Sequence, residues 1–221
     1  MKEYLITITG TTELLMHHDN IEWADFMEAW KNNPANKKAS KPGDDRTPAW
    51  RWLGCLYHDG QRVAMPQANI MRSLMEGGAM VPVPGGRSGK TFKAQTQSGM
   101  MCQESYWPLV TRTGKEILWA DVERLKDEND FAANRAAVEA LGFSLLVKRA
   151  KVQASKHIRV RPRFDAGWTL TGTVAVWDEQ ITRAVLEDIF EYAGKYKGLG
   201  DWRPGGKTPG SFGMFEAEIE G

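Results

Sequence analysis

The stretch Lys156–Trp177, KHIRVRPRFDAGWTLTGTVAVW, decides how the chain is read. Both arms alternate polar and apolar residues, as strands with one buried face do, and Asp165-Ala166-Gly167 between them are turn residues. The stretch predicts a β-hairpin. Upstream, EYLITIT (Glu3–Thr9) sets Tyr4, Ile6 and Ile8 on one side and predicts a half-buried strand. MPQANIMRSLMEGG (Met65–Gly78) predicts a helix, with Pro66 at its start, a stripe of Ile70, Met71, Leu74 and Met75, and a double glycine to end it. Downstream, ITRAVLEDIFEYAGKYKG is amphipathic through Ile181, Val185, Ile189 and Ala193, and FGMFEAEIE alternates Phe215, Ala217 and Ile219 as a closing strand. Strand, helix, strand, strand, helix, strand is the order of an α+β, ferredoxin-like (RRM-like) βαββαβ fold. The expected layout is one domain over 1–221, with its core in 1–14, 63–78 and 156–221 and large insertions at 15–62 and 79–155.

The first insertion opens with a stripe of Trp23, Phe26, Met27 and Trp30 at helical spacing, capped by Asp19 or Asn20 and read as packing. It continues into Asn32–Pro48, NNPANKKASKPGDDRTP, which is polar, without period, and expected to be a mobile loop. In the second, one or two strands around Met100–Val110 and helical segments at Ala120–Lys126 and Ala132–Leu141 are expected. With 29 basic and 28 acidic side chains, net charge gives no sign of a polyanionic partner, so distribution must. Cys55 and Cys102 are too few for a disulfide framework, and neither a signal peptide nor an apolar run of spanning length is present; the expectation is a cytoplasmic protein.

Distribution speaks at Leu146–Phe164, where Lys148, Arg149, Lys151, Lys156, Arg159, Arg161 and Arg163 cluster and no acid occurs between Glu139 and Asp165. In a strand His157, Arg159, Arg161 and Arg163 share a face at about 7 Å spacing, close to the phosphate repeat of an extended single strand. Such a row binds backbone without reading bases. A second candidate is GLGDWRPGGKTPGSFGMF, Gly198–Phe215: Gly198 and Gly200 permit close backbone approach, Trp202 offers a stacking plate, and Arg203 and Lys207 offer charge. His17, His18, Asp19 and Asp25 lack the spacing of a metal site, and no metal or cofactor motif is found elsewhere.

PGGRSGKTFK, Pro84–Lys93, ends in the Gly-Lys-Thr of a phosphate-binding loop, but Pro84 occupies the position where that loop requires its first glycine, which excludes an ATP site of this type. Arg87, Lys90 and Lys93 remain as a basic loop able to meet nucleic acid.

With this element order and these motifs, the chain resembles the RAMP superfamily of CRISPR-associated proteins. Pro66, Ile70 and Arg72 match that family's helix-start motif, with Gln67, Ala68 and Asn69 in place of its Gly-Ser-Ser. Gly198, Gly200, Arg203, Gly210, Phe212 and Gly213 match its glycine-rich loop, with GGKTP inserted. This resemblance covers the two ends of the chain, and the GLGDWRP…GSFG ending is also similar to that of short phage-encoded RAMP-like proteins. The resemblance implies a guide-RNA-binding backbone subunit, repeated in a ribonucleoprotein with other effector subunits and target nucleic acid. Arg159, Arg161 and Arg163 would then lie on an RNA-facing palm and 79–155 would hold a thumb. It also implies candidates for cleavage, Asp25 for target RNA and His18 for metal-independent processing. The alternatives are such an endoribonuclease, a phage or plasmid single-stranded DNA-binding protein, or a subunit whose arginine face docks an acidic protein.

Overall fold

The computed structural model describes residues 1–37, 39, 41–86, 89–152 and 155–221. The chain is α+β with antiparallel sheets and divides into two compact units, 1–15, 64–116 and 165–221 forming the first and 16–63 with 117–164 the second. Among the described residues no helix is long and apolar enough to cross a membrane.

In the first unit, elements numbered along the chain are β1 (Lys2–Gly10), β2 (Leu14–Leu15), β3 (Ala64–Pro66), α2 (Gln67–Gly78), α3 (Lys93–Ser98), β4 (Met100–Cys102), β5 (Tyr106–Val110), β8 (Thr169–Val176), α6 (Arg183–Tyr192) and β9 (Phe215–Glu220). The sheet runs β3-β5-β8-β1-β9, and β4 also pairs with β8. Register follows the buried alternation of β1: Tyr4, Ile6 and Ile8 oppose Val174, Gly172 and Leu170, and all three β1 side chains are buried. The other face sets Glu3, Leu5, Thr7 and Thr9 against Ala175, Thr173, Thr171 and Thr169 on one side, and Glu220, Glu218 and Glu216 oppose Leu5, Thr7 and Thr9 on the other. None of these open-face positions carries Lys or Arg. The double glycine forms the last two residues of α2, as expected, and Ala79 is the C-cap. A Cβ on Gly77 would stand 2.7 Å from the Ile189 carbonyl, so glycine here lets α2 and α6 approach closely.

The second unit holds α1 (Ile21–Asn32), α4 (Trp119–Glu123), α5 (Phe131–Leu141), β6 (Ser144–Val152) and β7 (Ser155–Phe164). Asn20 caps α1 by accepting from the Trp23 N–H. Phe143 stacks on Phe164 at 5.2 Å and meets the edge of Trp52, whose indole donates to the fully buried Asn134 at 2.8 Å.

The expected hairpin of β7 with β8 does not form. β7 pairs along its length with β6, from Ser144 opposite Arg163 to Val152 opposite Ser155, while β8 pairs with β1, β4 and β5. The chain passes from one unit to the other at Phe164–Asp165, and Gly167 N–H donates to the Gly10 carbonyl at the end of β1. The expected strands near 100–110 are sheet members rather than parts of an insertion, and 156–164 groups with the second unit rather than with the sheet.

Candidate nucleic-acid interface

β7 is a strand because Val160, Pro162 and Phe164 alternate into the core and their polar neighbours alternate out. Arg159, Arg161 and Arg163 therefore share a face, with cross-strand partners Lys148, Leu146 and Ser144. That face is not an open row of cations. Residues 43–45, from the stretch expected to be a mobile loop, join β7 as a short parallel bridge: Ile158 N–H donates to the Gly43 carbonyl at 2.8 Å and Asp45 N–H to the Ile158 carbonyl at 3.0 Å. Gly43 adopts a left-handed φ of 75°, and a Cβ there would stand 3.0 Å from the His157 ring. This anchoring buries Asp45 beneath the arginines.

Asp45 is the missing acid. Arg159 Nη1 lies 3.1 Å from Oδ1, Arg51 Nη1 3.5 Å from Oδ1, and Arg161 Nη1 3.5 Å from Oδ2. The Val160 N–H donates to Oδ2 at 3.4 Å. One carboxylate thus gathers three guanidinium groups to a point, where an extended strand alone would have spaced them out. Arg163 is tied separately, donating to Ser144 Oγ at 2.9 Å.

The gathered arginines form the floor of a cleft of about 320 Å³ whose wall is the start of α1. Lys31 and Asp19 complete its formal charges, so four cations face two carboxylates. His17 Nε2 sits 3.2 Å from Arg161 Nη2. The Trp23 ring lies on the backbone of Gly54, where a Cβ would collide with it. Two buried polar atoms of residues lining the cleft, Trp23 Nε1 and His18 Nδ1, have no hydrogen-bond partner among the described residues. His18 also rests on Tyr57 at 4.7 Å.

A second depression of about 470 Å³ lies on the other side of α1, between Trp30, Arg46, Trp50 and Lys126. The α1 stripe does pack, as expected, with Trp23, Phe26 and Trp30 all against Trp50. Phe26 nevertheless keeps 37% of its surface exposed, and the Lys126 ammonium stands 3.9 Å from its ring centroid.

The remaining expected site residues are dispersed. Lys148 is exposed beside Arg159; Arg149, Lys151 and Lys156 are exposed on the opposite face of the hairpin, and His157 is half-buried under Gly43. Asp25 is exposed on α1 and does not line the cleft, whereas His18 does. Lys90 and Lys93 are exposed in the first unit; Arg87 lies outside the described residues. The ends of the glycine-lysine loop are pinned together by a Pro82–Thr91 bridge and by Val83 N–H donating to the Lys90 carbonyl, a hairpin and not a strand-to-helix turn.

The Gly198–Phe215 loop belongs to the first unit and is anchored to it. Gly198 N–H donates to the Ala193 carbonyl, its own carbonyl accepts from Ser73 Oγ, and Gly213 N–H donates to the Glu13 carbonyl. Gly200 takes a φ of 75°, Trp202 stacks on Phe212 at 6.0 Å, and Lys207 is exposed. Arg203 donates to both oxygens of Glu76, at 2.7 and 3.2 Å, and to the Lys197 carbonyl. Burial alone would raise the Glu76 pKa; the hydrogen bonds and charges of Arg203 and Arg72 outweigh it and hold the carboxyl below its ordinary range. Arg203 is a tie between loop and helix.

Compared with known proteins, the chain matches no family model and no curated sequence. Among the described residues no three His, Cys, Asp or Glu side chains are grouped to hold a metal ion. The cleft residues that escaped the sequence were Lys31, Asp45 and Arg51. The one available signal was the absence of any acid near seven clustered cations, which implies a carboxylate supplied from elsewhere in the chain.

Proposed function

We propose that this protein binds single-stranded RNA through its sugar-phosphate backbone, as a repeated RAMP-type subunit on a guide RNA, and that its first unit is ferredoxin-like. The strand order supports the fold: β9, β1, β8 and the β4/β5 layer stand in the antiparallel order of that architecture, with α2 and α6 as its two connecting helices. The observation that carries the function is the cleft of the second unit, where Arg51, Arg159 and Arg161 share a lining with Lys31 and Trp23 of α1. Cations for phosphates next to aromatic rings for bases are the two ingredients of sequence-tolerant single-strand binding. The open face of the sheet, with its glutamates and threonines, repels a polyanion, so RNA binds the second unit.

The test is fluorescence anisotropy with a labelled single-stranded RNA. Four phosphate contacts weaken binding roughly 50-fold between 50 and 200 mM salt. The double variant Arg159→Ala, Arg161→Ala weakens binding and flattens that salt slope; unchanged affinity in the variant, or indifference to salt, refutes the reading. A second reading, metal-independent RNA cleavage, is favoured by His17 and His18 lining the same cleft. It requires a cleavage product formed in the presence of a chelator and lost in His18→Ala.

A further inference from the structure

We infer that the cleft holds a terminal phosphomonoester, the phosphorylated end of a single-stranded RNA, rather than a run of internal phosphodiesters. The inference rests on the reading that the cleft binds single-stranded RNA, not on repetition of the subunit along a guide: a strand end occurs once, so one copy per RNA end uses the cleft in this way.

The geometry carries it. Internal phosphates of an extended strand are separated by roughly the spacing of alternate residues in a β-strand, about 7 Å, and are met by cations laid out in a row. Here three guanidinium groups converge within 3.5 Å of one carboxylate. Convergence suits one multiply charged group. A phosphomonoester carries about −1.5 to −2 near neutral pH, against −1 for a diester. The cleft's four cations and two carboxylates leave a surplus of two positive charges, a match for the former. Asp45 holds the guanidinium planes in place, and the forks of Arg51 and Arg159 present several N–H donors each, so a phosphate can be met by donors other than those Asp45 engages.

Size agrees. At about 320 Å³ the cleft is at the lower end of ligand pockets, which run from about 300 to 1,000 Å³, and has room for one nucleotide rather than several.

The experiment compares one ten-nucleotide RNA in three forms, 5′-phosphate, 3′-phosphate and hydroxyl at both ends, with adenosine monophosphate as competitor. The expected result is that one phosphorylated form binds about tenfold or more tightly than the hydroxyl form. Arg51→Ala weakens the phosphorylated form by more than the hydroxyl form, so that the advantage shrinks, and Arg51→Lys restores only part of it, because Lys supplies charge without the fork. Equal binding of all three forms overturns the phosphomonoester assignment and leaves the RNA-binding reading standing. Binding of adenosine monophosphate alone, lost in Arg51→Ala, keeps the assignment and overturns the RNA reading. No binding of any probe overturns both.

Discussion

Replacing Asp45 by Asn tests whether one carboxylate organises the second unit. The substitution keeps the side chain's shape and one oxygen acceptor but removes the charge that three arginines share at 3.1 to 3.5 Å. A hydrogen bond to a charged group contributes about 1.5–3 kcal/mol, and breaking a buried ion pair costs about 3–5 kcal/mol. Those values require discounting, because the side chains of Arg51, Arg159 and Arg161 keep 26, 31 and 14% of their surface exposed and water screens what the variant leaves unpaired. The expected loss is about 2 kcal/mol, equivalent to roughly 4–8 °C in Tm for a chain of this length. Urea denaturation followed by tryptophan fluorescence reads it, since Trp23 and Trp52 both line the cleft. The same variant releases the guanidinium groups that Asp45 gathers, so affinity for a phosphorylated RNA falls together with stability despite the added positive charge. Stability within 0.5 kcal/mol of wild type refutes the argument that Asp45 is the organising centre.

Two further outcomes follow from ties elsewhere in the chain. Arg203→Ala removes the loop-to-helix pair with Glu76 and lowers stability by about 1–2 kcal/mol without changing RNA affinity; an RNA defect in a folded Arg203→Ala protein, measured by anisotropy, contradicts its structural assignment. His58 is stacked face to face on Trp119 at 3.7 Å, and burial, with the nearby His18, pushes its pKa below the ordinary 6.5. Above pH 6.5 the ring is neutral whether the chain is folded or not; as pH falls through and below 6.5 the unfolded chain takes up the proton first, and stability declines toward the folded pKa. Urea midpoints at pH 7.5 and 5.5 should differ less in His58→Gln than in wild type, and an equal difference removes His58 as a cause.

Much of the secondary structure was legible. β1, α1 with its Asn20 cap, α2, α6 and β9 all stand within a few residues of their sequence patterns, because periodicity and capping are local properties. Pairing was not, because it is a long-range choice. Asp-Ala-Gly between two alternating arms is a good hairpin signal, yet β8 finds a better partner in β1, whose Ile6 and Ile8 oppose Gly172 and Leu170. The true partner of β7, β6, shows in the sequence only as a run of charge, because its Lys148 and Arg149 mask the alternation of Leu145 and Val147. The site failed in the same way. The cations of β7 were evident, but their acid lay more than a hundred residues away in a stretch whose Lys, Gly and Pro content resembles disorder. Its order comes from the bridge to Ile158, which no local pattern records. The double glycine of α2 ends the helix and also serves packing that the sequence does not announce, Gly77 against Ile189 and Ala193 and Gly78 against Thr96.

The pairing of β1 with β8 also sets a schedule for biosynthesis. At about 5–20 residues per second, roughly 10–30 s separate the emergence of β1 from that of β8. In that interval the second unit's last strand, β7, leaves the ribosome first, so both segments of that unit, 16–63 and 117–164, have emerged before the first unit can close. β1 waits as an unpaired strand carrying Tyr4, Leu5, Ile6 and Ile8, an exposed template for mispairing. Lys2, Glu3 and the threonines at positions 7 and 9 are the polar residues that keep such a waiting segment from finding the wrong neighbour.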